Sequence, residues 1–149
     1  MSLLQFLVPL GWVETIGPIL PLAILTLTIA NMATRLLSHR THKQQAEAGE
    51  KDEALSRYFP HTFTTLGVVL LGLLFIVYRP ISGMIMMISL FGLLVTDFFE
   101  FEARLVEARN DMPLERPKAG FAVSVLALIY ASYYGLQFLY GPYLDLIFA

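Results

Sequence analysis

The chain has 149 residues, of which 56% are hydrophobic and 15% charged, with no cysteine and a formal net charge of −2. A soluble domain of this size carries more polar surface, so this composition, gathered in long apolar blocks, indicates a membrane protein. Without cysteine, disulfides, thiolate metal centres and covalently attached haem are excluded, and the slightly acidic balance gives no electrostatic footprint for nucleic acid.

Four apolar segments are long enough to form transmembrane helices, each of which needs roughly 20 residues to cross a ~30 Å hydrocarbon core. We expect the third helix to continue past the bilayer to about Asn110. The predicted fold class is an all-α membrane protein with four transmembrane helices in a single domain, residues 1–149. The spans cover about residues 16–37, 61–78, 81–97 and 119–140, with polar connections at 38–60 and 98–118.

Three shorter features lie around these spans. Residues Leu3 to Trp12 are apolar but too short to cross, so we expect an interfacial or re-entrant piece with Trp12 at the headgroup level. Gly49 is expected to divide the first connection into two short helical pieces. Only Tyr78, Arg79 and Pro80 separate the second and third spans, which predicts a tight antiparallel hairpin.

The distribution of basic residues predicts the orientation. Nine of the ten lysines and arginines lie in or beside the two long connections, and only Arg79 lies on the other side. The positive-inside rule then places the connections in the cytoplasm and both termini outside the cell membrane. The tyrosines expected to form an aromatic belt at the outer interface are Tyr130, Tyr133, Tyr134, Tyr140 and Tyr143.

The helix that follows the third span carries a charged stripe. A charge near the membrane boundary costs least when it is paired. We therefore predict that Arg35, on a polar face of the first span at matching depth, meets Asp97 or Glu100, and that Glu100 also pairs with Arg104 at i,i+4. The alternative is that Arg35 extends to the lipid headgroups while the carboxylates are hydrated. At 100° per residue, the stripe consists of Asp97, Glu100, Arg104, Glu107 and Asp111.

The same helix has two apolar faces, whereas a solvated helix needs only one. We therefore expect Phe99 and Val106, on the second of these faces, to contact a partner subunit. Span four has a stripe of small residues that allows close helix approach, and we expect an interface there too, with this chain or with another. The stripe consists of Gly120, Ser124, Ala127, Ala131 and Gly135.

Three histidines are candidates for a metal site. His39, His42 and His61 lie near the depth of Glu100 and Glu102, and imidazole with carboxylate could bind zinc or iron. Because no metal-binding spacing is present, we interpret them as interfacial histidines. The sequence also lacks a nucleophile–base pair and a phosphate-binding glycine loop, so we expect no bound cofactor and no enzymatic activity.

The runs DFFEFEARLVEARNDMPLERPKAG, NMATRLLSHR and RYFPH resemble a family of small four-span membrane proteins of halophilic archaea, over most of the chain. The family is uncharacterised, so no catalytic residues can be carried over. The resemblance implies an association with the respiratory chain, in particular with a cytochrome bc-type complex and its cytochrome b and Rieske subunits. This chain would then be an accessory subunit.

Three functions are compatible with these features. The first is a non-catalytic accessory or structural subunit of a larger membrane complex, which the second apolar face favours. The second is a small transporter or metal-handling protein that uses the cytoplasmic histidines and carboxylates. The third is a self-assembling homo-oligomer with a structural role.

Overall fold

The computed structural model describes residues 11–48, 55–137 and 145–147. These residues are mostly helical and contain no β-strand, which confirms the all-α class for the part of the chain that is described. The elements are α1 (Gly11–Ile16), a 3₁₀ turn (Gly17–Ile19), α2 (Leu20–Ala48), α3 (Phe59–Tyr78), α4 (Pro80–Arg109) and α5 (Lys118–Gly135).

Prolines set where two of these helices begin. Pro60 and Pro80 occupy the first turns of α3 and α4, where the missing N–H has no helical partner to lose. Arg79 is extended, with φ −136° and ψ 94°, because a residue before proline avoids the helical region. This one residue therefore ends α3 and begins α4, and the two helices form a hairpin.

Helices α2 to α5 form a ring in which each packs antiparallel against the next and α5 returns to α2. The α3–α4 hairpin is close: a Cβ at Gly83 would overlap the backbone of Ile76. Near the same end, Gly135 of α5 lies against the backbone of Leu22 in α2. Fully buried apolar side chains fill the interior of the ring, and they include Ile24, Val68, Phe75, Met86, Leu90, Leu93, Ala127 and Ala131.

The two ends of the ring differ in chemistry. We call the end at Arg35, Asp97, Glu100 and Arg104 the charged end, and the end at Arg79 the hairpin end. Helices α2 and α4 have 29 and 30 residues. At 1.5 Å per residue each is roughly 45 Å long, about half as long again as a ~30 Å hydrocarbon core. Both helices project past the others at the charged end.

Helix α2 differs from the first predicted span at both of its ends. It continues to Ala48, so the connection expected from residue 38 begins later. The cause is that Ser38 and His42 lie on the same face as Arg35 and are buried. At the other end, α2 begins at Leu20 rather than residue 16, because Pro18 and Pro21 cannot donate the hydrogen bonds of a continuous α-helix.

Some predicted features lie outside the described residues. They are residues 3–10 of the expected interfacial piece, the Gly49 break, and the end of the fourth span with Tyr140. Tyr143 of the aromatic belt also lies there. Trp12, at the end of the interfacial piece, lies in α1 and is 47% exposed.

Three helical stretches are long and apolar enough to cross a membrane, namely Gly11–Ala48, Phe59–Tyr78 and Pro80–Arg109. Large apolar side chains cover the outside of the ring, among them Leu70 at 59% and Ile88 at 76% exposure. Such a surface is unfavourable in water and suits hydrocarbon. Helix α5 packs into the same ring but is not among the three stretches.

Candidate functional site

The centre of the charged end is a buried ion pair between α2 and α4. Arg35 Nη1 lies 2.5 Å from Glu100 Oε2, and the Arg35 side chain is 0% exposed. The other carboxylate oxygen of Glu100 accepts a hydrogen bond of 3.0 Å from the backbone N–H of Gly120, in the first turn of α5. A Cβ at residue 120 would overlap both Arg35 and Glu100, so glycine is what allows this approach. One carboxylate thus joins three helices.

Asn31 connects this ion pair to α3. Its Oδ1 accepts a hydrogen bond of 3.4 Å from Arg35 Nη2. Its Nδ2 donates to the hydroxyl oxygens of Thr64 and Thr65, at 3.0 and 2.8 Å. All of these side chains are buried, and a buried polar group left without a partner costs about 1–3 kcal/mol. The network therefore ties all four helices of the ring together.

Asp97 belongs to a second pair, with a histidine in the first turn of α3. Asp97 Oδ1 lies 2.9 Å from His61 Nε2, and Oδ2 lies 3.8 Å from Arg57 Nη1. The other ring nitrogen of His61 is 3.0 Å from Thr34 Oγ1. The Arg57 guanidinium carbon also lies 4.5 Å from the centre of the Phe101 ring, a cation–π distance. The segment before α3 is thereby held against α4.

Arg104, one turn after Glu100, extends the network along α4. Its Nη2 lies 3.8 Å from Glu100 Oε2. Its Nη1 donates to His42 Nδ1 at 3.0 Å and to Ser38 Oγ at 3.4 Å. Because a guanidinium has only donors, His42 Nδ1 must be unprotonated, and His42 Nε2–H donates to the Ser56 carbonyl at 2.7 Å. His42 is therefore neutral and positions Arg104.

The network has more positive than negative charge and little free space. With histidines counted as neutral, three guanidiniums (Arg35, Arg57 and Arg104) face two carboxylates (Asp97 and Glu100). Within the described residues, Arg35 Nε and Arg104 Nη2 have no hydrogen-bond partner. The adjoining cavity measures about 10 Å³, which is room for at most one water molecule. The arrangement holds the helices together, and this cavity is too small for anything larger than water.

The polar network stops part of the way along the ring. Thr28 Oγ1 donates to the Ile24 carbonyl of its own helix, at 2.7 Å. At the hairpin end, a hydrogen bond of 2.9 Å joins Ser82 Oγ and Tyr134 Oη. Between these two points, the buried side chains of the described residues are apolar. The polar groups of the two ends are therefore separated by a packed hydrocarbon layer.

The structure places the residues of the predicted ion pair as follows. Of the two carboxylates considered for Arg35, Glu100 lies against it, whereas Asp97 faces His61 and Arg57. The contact of Glu100 with Arg104 at i,i+4 is present at 3.8 Å. Sequence reasoning missed His61 and Arg57 as partners of Asp97. The signal was available, since the second span begins at the level where the third ends.

The three histidines considered for a metal face different partners. His61 lies against Asp97, His42 against Arg104, and His39 Nε2 lies 3.3 Å from the carbonyl oxygen of Leu114. Within the described residues, no group of three or more His, Asp and Glu side chains could hold a metal ion. Each imidazole instead contacts a group of the protein itself.

The residues predicted for a partner interface separate into two sets. Phe99 is 63% exposed and Val106 is 48% exposed, both on the outside of α4. The small-residue stripe of α5 is instead buried in the ring, with Gly120 against Arg35 and Gly135 against Leu22. The chain's own helices, rather than another subunit, cover this stripe. Its members are Gly120, Ser124, Ala127, Ala131 and Gly135.

Comparison with known proteins identifies a family. A family model described as a domain of unknown function (DUF7313) matches residues 2–148. No curated protein and no solved structure matches the chain.

A Gly120→Ala variant tests the approach of α5 to the ion pair. The added methyl group would force apart Arg35 and Glu100, and overpacking of this kind typically costs about 1–3 kcal/mol. Alanine stabilises a helix by up to ~1 kcal/mol relative to glycine, which is less than this cost. We expect a lower melting temperature by circular dichroism in detergent.

The matched control for this variant is Gly11→Ala, because no atom lies within 4 Å of a Cβ built at Gly11. We expect its melting temperature to equal that of the parent protein or to lie slightly above it. A Gly120→Ala variant that melts no lower than Gly11→Ala would contradict the placement of Gly120 against the pair.

Proposed function

We propose that this chain, which belongs to the DUF7313 family, is a non-catalytic accessory or structural subunit of a larger membrane complex. The observation that carries the proposal is an exposed apolar strip on α4, formed by Phe99, Ala103 and Val106. These residues are spaced by four and three positions, so they lie on one face of the helix. We call this strip the α4 outer face.

The position of the α4 outer face argues for a protein partner. A ~30 Å hydrocarbon core takes up about 20 residues of helix. Counted from Pro80 at the hairpin end, these residues reach about Phe99, so Ala103 and Val106 lie beyond the hydrocarbon. The opposite face of α4 is already covered by the ring, where Arg104 and Ala108 are buried. An apolar strip outside the bilayer is best buried against another subunit.

The buried network supports a structural role rather than catalysis or transport. Most of its donors and acceptors are directed at neighbouring helices, and the cavity enclosed by Arg57, Asp97 and Arg104 is no larger than a water molecule. A transporter needs polar groups or water along its whole path. Here the polar network ends at Thr28, and the apolar layer of the ring follows.

We further propose that the complex is respiratory and of the cytochrome bc type, with cytochrome b and Rieske subunits as neighbours. This part of the proposal rests on the resemblance of DFFEFEARLVEARNDMPLERPKAG, NMATRLLSHR and RYFPH to a family of halophilic archaea. Purification of the complex from its native membrane tests this assignment directly.

We propose that α5 is the fourth transmembrane helix and that the charged end faces the cytoplasm. Helix α5 packs antiparallel between α2 and α4 and joins the ring over its whole length. Nine of the ten basic residues lie toward the charged end or its connections, and Arg79 lies at the hairpin end. By the positive-inside rule, both termini are then outside the cell membrane.

Assembly is tested by gentle detergent purification of the tagged chain and mass spectrometry of the proteins that copurify. We expect stoichiometric subunits of a membrane complex, and loss of them in Val106→Arg. An unpaired charge in an apolar contact should cost more than the ~1.4 kcal/mol that weakens binding tenfold. The melting temperature of the isolated Val106→Arg chain should be unchanged, because Val106 is 48% exposed.

The control for this experiment is Gln44→Arg, at an exposed position of α2 away from the α4 outer face. The Gln44→Arg chain should copurify with the same subunits as the parent chain. Retention of the same subunits by Val106→Arg would remove the α4 outer face from the interface. A pure homo-oligomer would favour self-assembly, and a stoichiometric bound metal would favour the metal-handling function.

Orientation is tested with single cysteines, since the chain has none of its own. Met112→Cys lies beyond α4 near the charged end, and Gln137→Cys follows α5 at the hairpin end, both at exposed positions. An impermeant thiol reagent applied to intact cells should label Gln137→Cys and should label Met112→Cys only after the cells are opened. The reverse pattern would invert the proposed orientation.

A further inference from the structure

A groove of about 480 Å³ opens beside the ion pair, between α4 and the segment that leads into α5. Phe99 and Ala103 line one wall, and Arg116, Pro117 and Lys118 line the other. We propose that this groove binds one anionic phospholipid, with its phosphate at the basic wall and the start of an acyl chain against Phe99.

The charges around the groove favour an anion. Glu100 and Arg104 line its inner side, and Arg104 Nη2 has no hydrogen-bond partner although the residue is only 4% exposed. At the rim, Arg116 and Lys118 are exposed and have no ion pair among the described residues. These groups supply donors that a phosphate diester can accept from.

Carboxylates also line the groove, but two of them are already engaged by other groups of the protein. Glu107 Oε2 already accepts a hydrogen bond of 2.9 Å from the backbone N–H of Glu115. Glu100 is paired with Arg35 from the far side. The three carboxylates of the lining, Glu100, Glu107 and Glu115, balance its three cations, Arg104, Arg116 and Lys118. Arg35, behind Glu100, adds one positive charge that no carboxylate of the lining balances. A phosphate diester carries one negative charge.

The depth of the groove favours a lipid over a soluble anion. The hydrogen bond from Gly120 to Glu100 sets the start of α5 level with the middle of the groove. Phe99, at 63% exposure, lies where the hydrocarbon ends if the ring crosses the membrane as proposed above. The groove is thus apolar on its membrane side and basic on its water side, which matches a lipid at the interface.

The lipid groove and the α4 outer face overlap at Phe99 and Ala103. Val106 belongs to the outer face alone, and Arg116 and Lys118 belong to the groove alone. Lipid binding rests on the proposed placement in a membrane and not on a partner subunit. It is therefore measured on the isolated chain, where loss of assembly cannot be mistaken for loss of lipid.

The test is native mass spectrometry of the full chain in detergent, with added phosphatidylglycerol or phosphatidylcholine. We expect one phosphatidylglycerol to remain bound per chain, with a higher melting temperature than in phosphatidylcholine. The double variant Arg116→Gln/Lys118→Gln should weaken phosphatidylglycerol binding roughly tenfold, because two charged contacts to the phosphate are lost. Its melting temperature without lipid should be unchanged, since both side chains are exposed.

The matched control is Arg40→Gln/Lys43→Gln, which removes the same charge from exposed positions on α2. It should bind phosphatidylglycerol as the parent does. Equal losses in the two double variants would show only general attraction of an anion to a basic protein and would overturn the proposal. Equal binding of the two lipids, or no retained lipid, would overturn it as well.

Discussion

The cost of burying Arg35 is the constraint on which the rest of this structure depends. A guanidinium that is 0% exposed must find partners inside the protein, because burying an isolated charge is prohibitively expensive. Glu100 supplies the counter-charge and Asn31 a further acceptor. Glu100 fixes α4 relative to α2, and Asn31, on the same helix as Arg35, fixes α3 through its hydrogen bonds to Thr64 and Thr65. The ion pair therefore contributes little net stability, and its main effect is to determine how the four apolar helices are arranged.

Several features of the chain follow from this requirement. Glycine is needed at residue 120 because the carboxylate must also accept a hydrogen bond from the backbone of α5. The α2 helix continues to Ala48 because Ser38 and His42 lie on the same face and contact Arg104. Hydrophobic association alone would not select this arrangement, since the lipid surroundings are as apolar as the helix surfaces. Directional polar contacts determine how far each helix is shifted along its neighbour, which apolar packing alone does not determine.

The sequence predicted where along the helices the polar network lies, but not all of the side-chain pairs within it. Helical periodicity and depth brought Arg35 to the stripe of Asp97 and Glu100, because these depend only on spacing along each helix. The choice between the two carboxylates depends on which neighbouring helix each one faces. Asp97 faces His61 of α3, and Glu100 faces the start of α5. Spacing along one helix does not contain that information.

The small residues of α5 show the same limit. Their stripe predicted a close helix contact, and whether the neighbour was α2 or another subunit depended on the closure of the ring. The prolines, by contrast, act locally, and the hairpin at Arg79 and Pro80 could be predicted from the sequence. Local backbone chemistry and helical periodicity could therefore be predicted from the sequence, whereas the choice between possible partners on different helices required the structure.

A double-mutant cycle on Arg35 and Glu100 tests the central claim most directly. The free energy of unfolding would be measured in detergent for Arg35→Met, for Glu100→Met and for the double variant. If the pair sets the arrangement of the ring, each single change leaves a buried charge without its partner and costs on the order of 3 kcal/mol. The double variant should then cost at least about 1 kcal/mol less than the sum of the two. Costs that add to within about 0.5 kcal/mol would contradict the account.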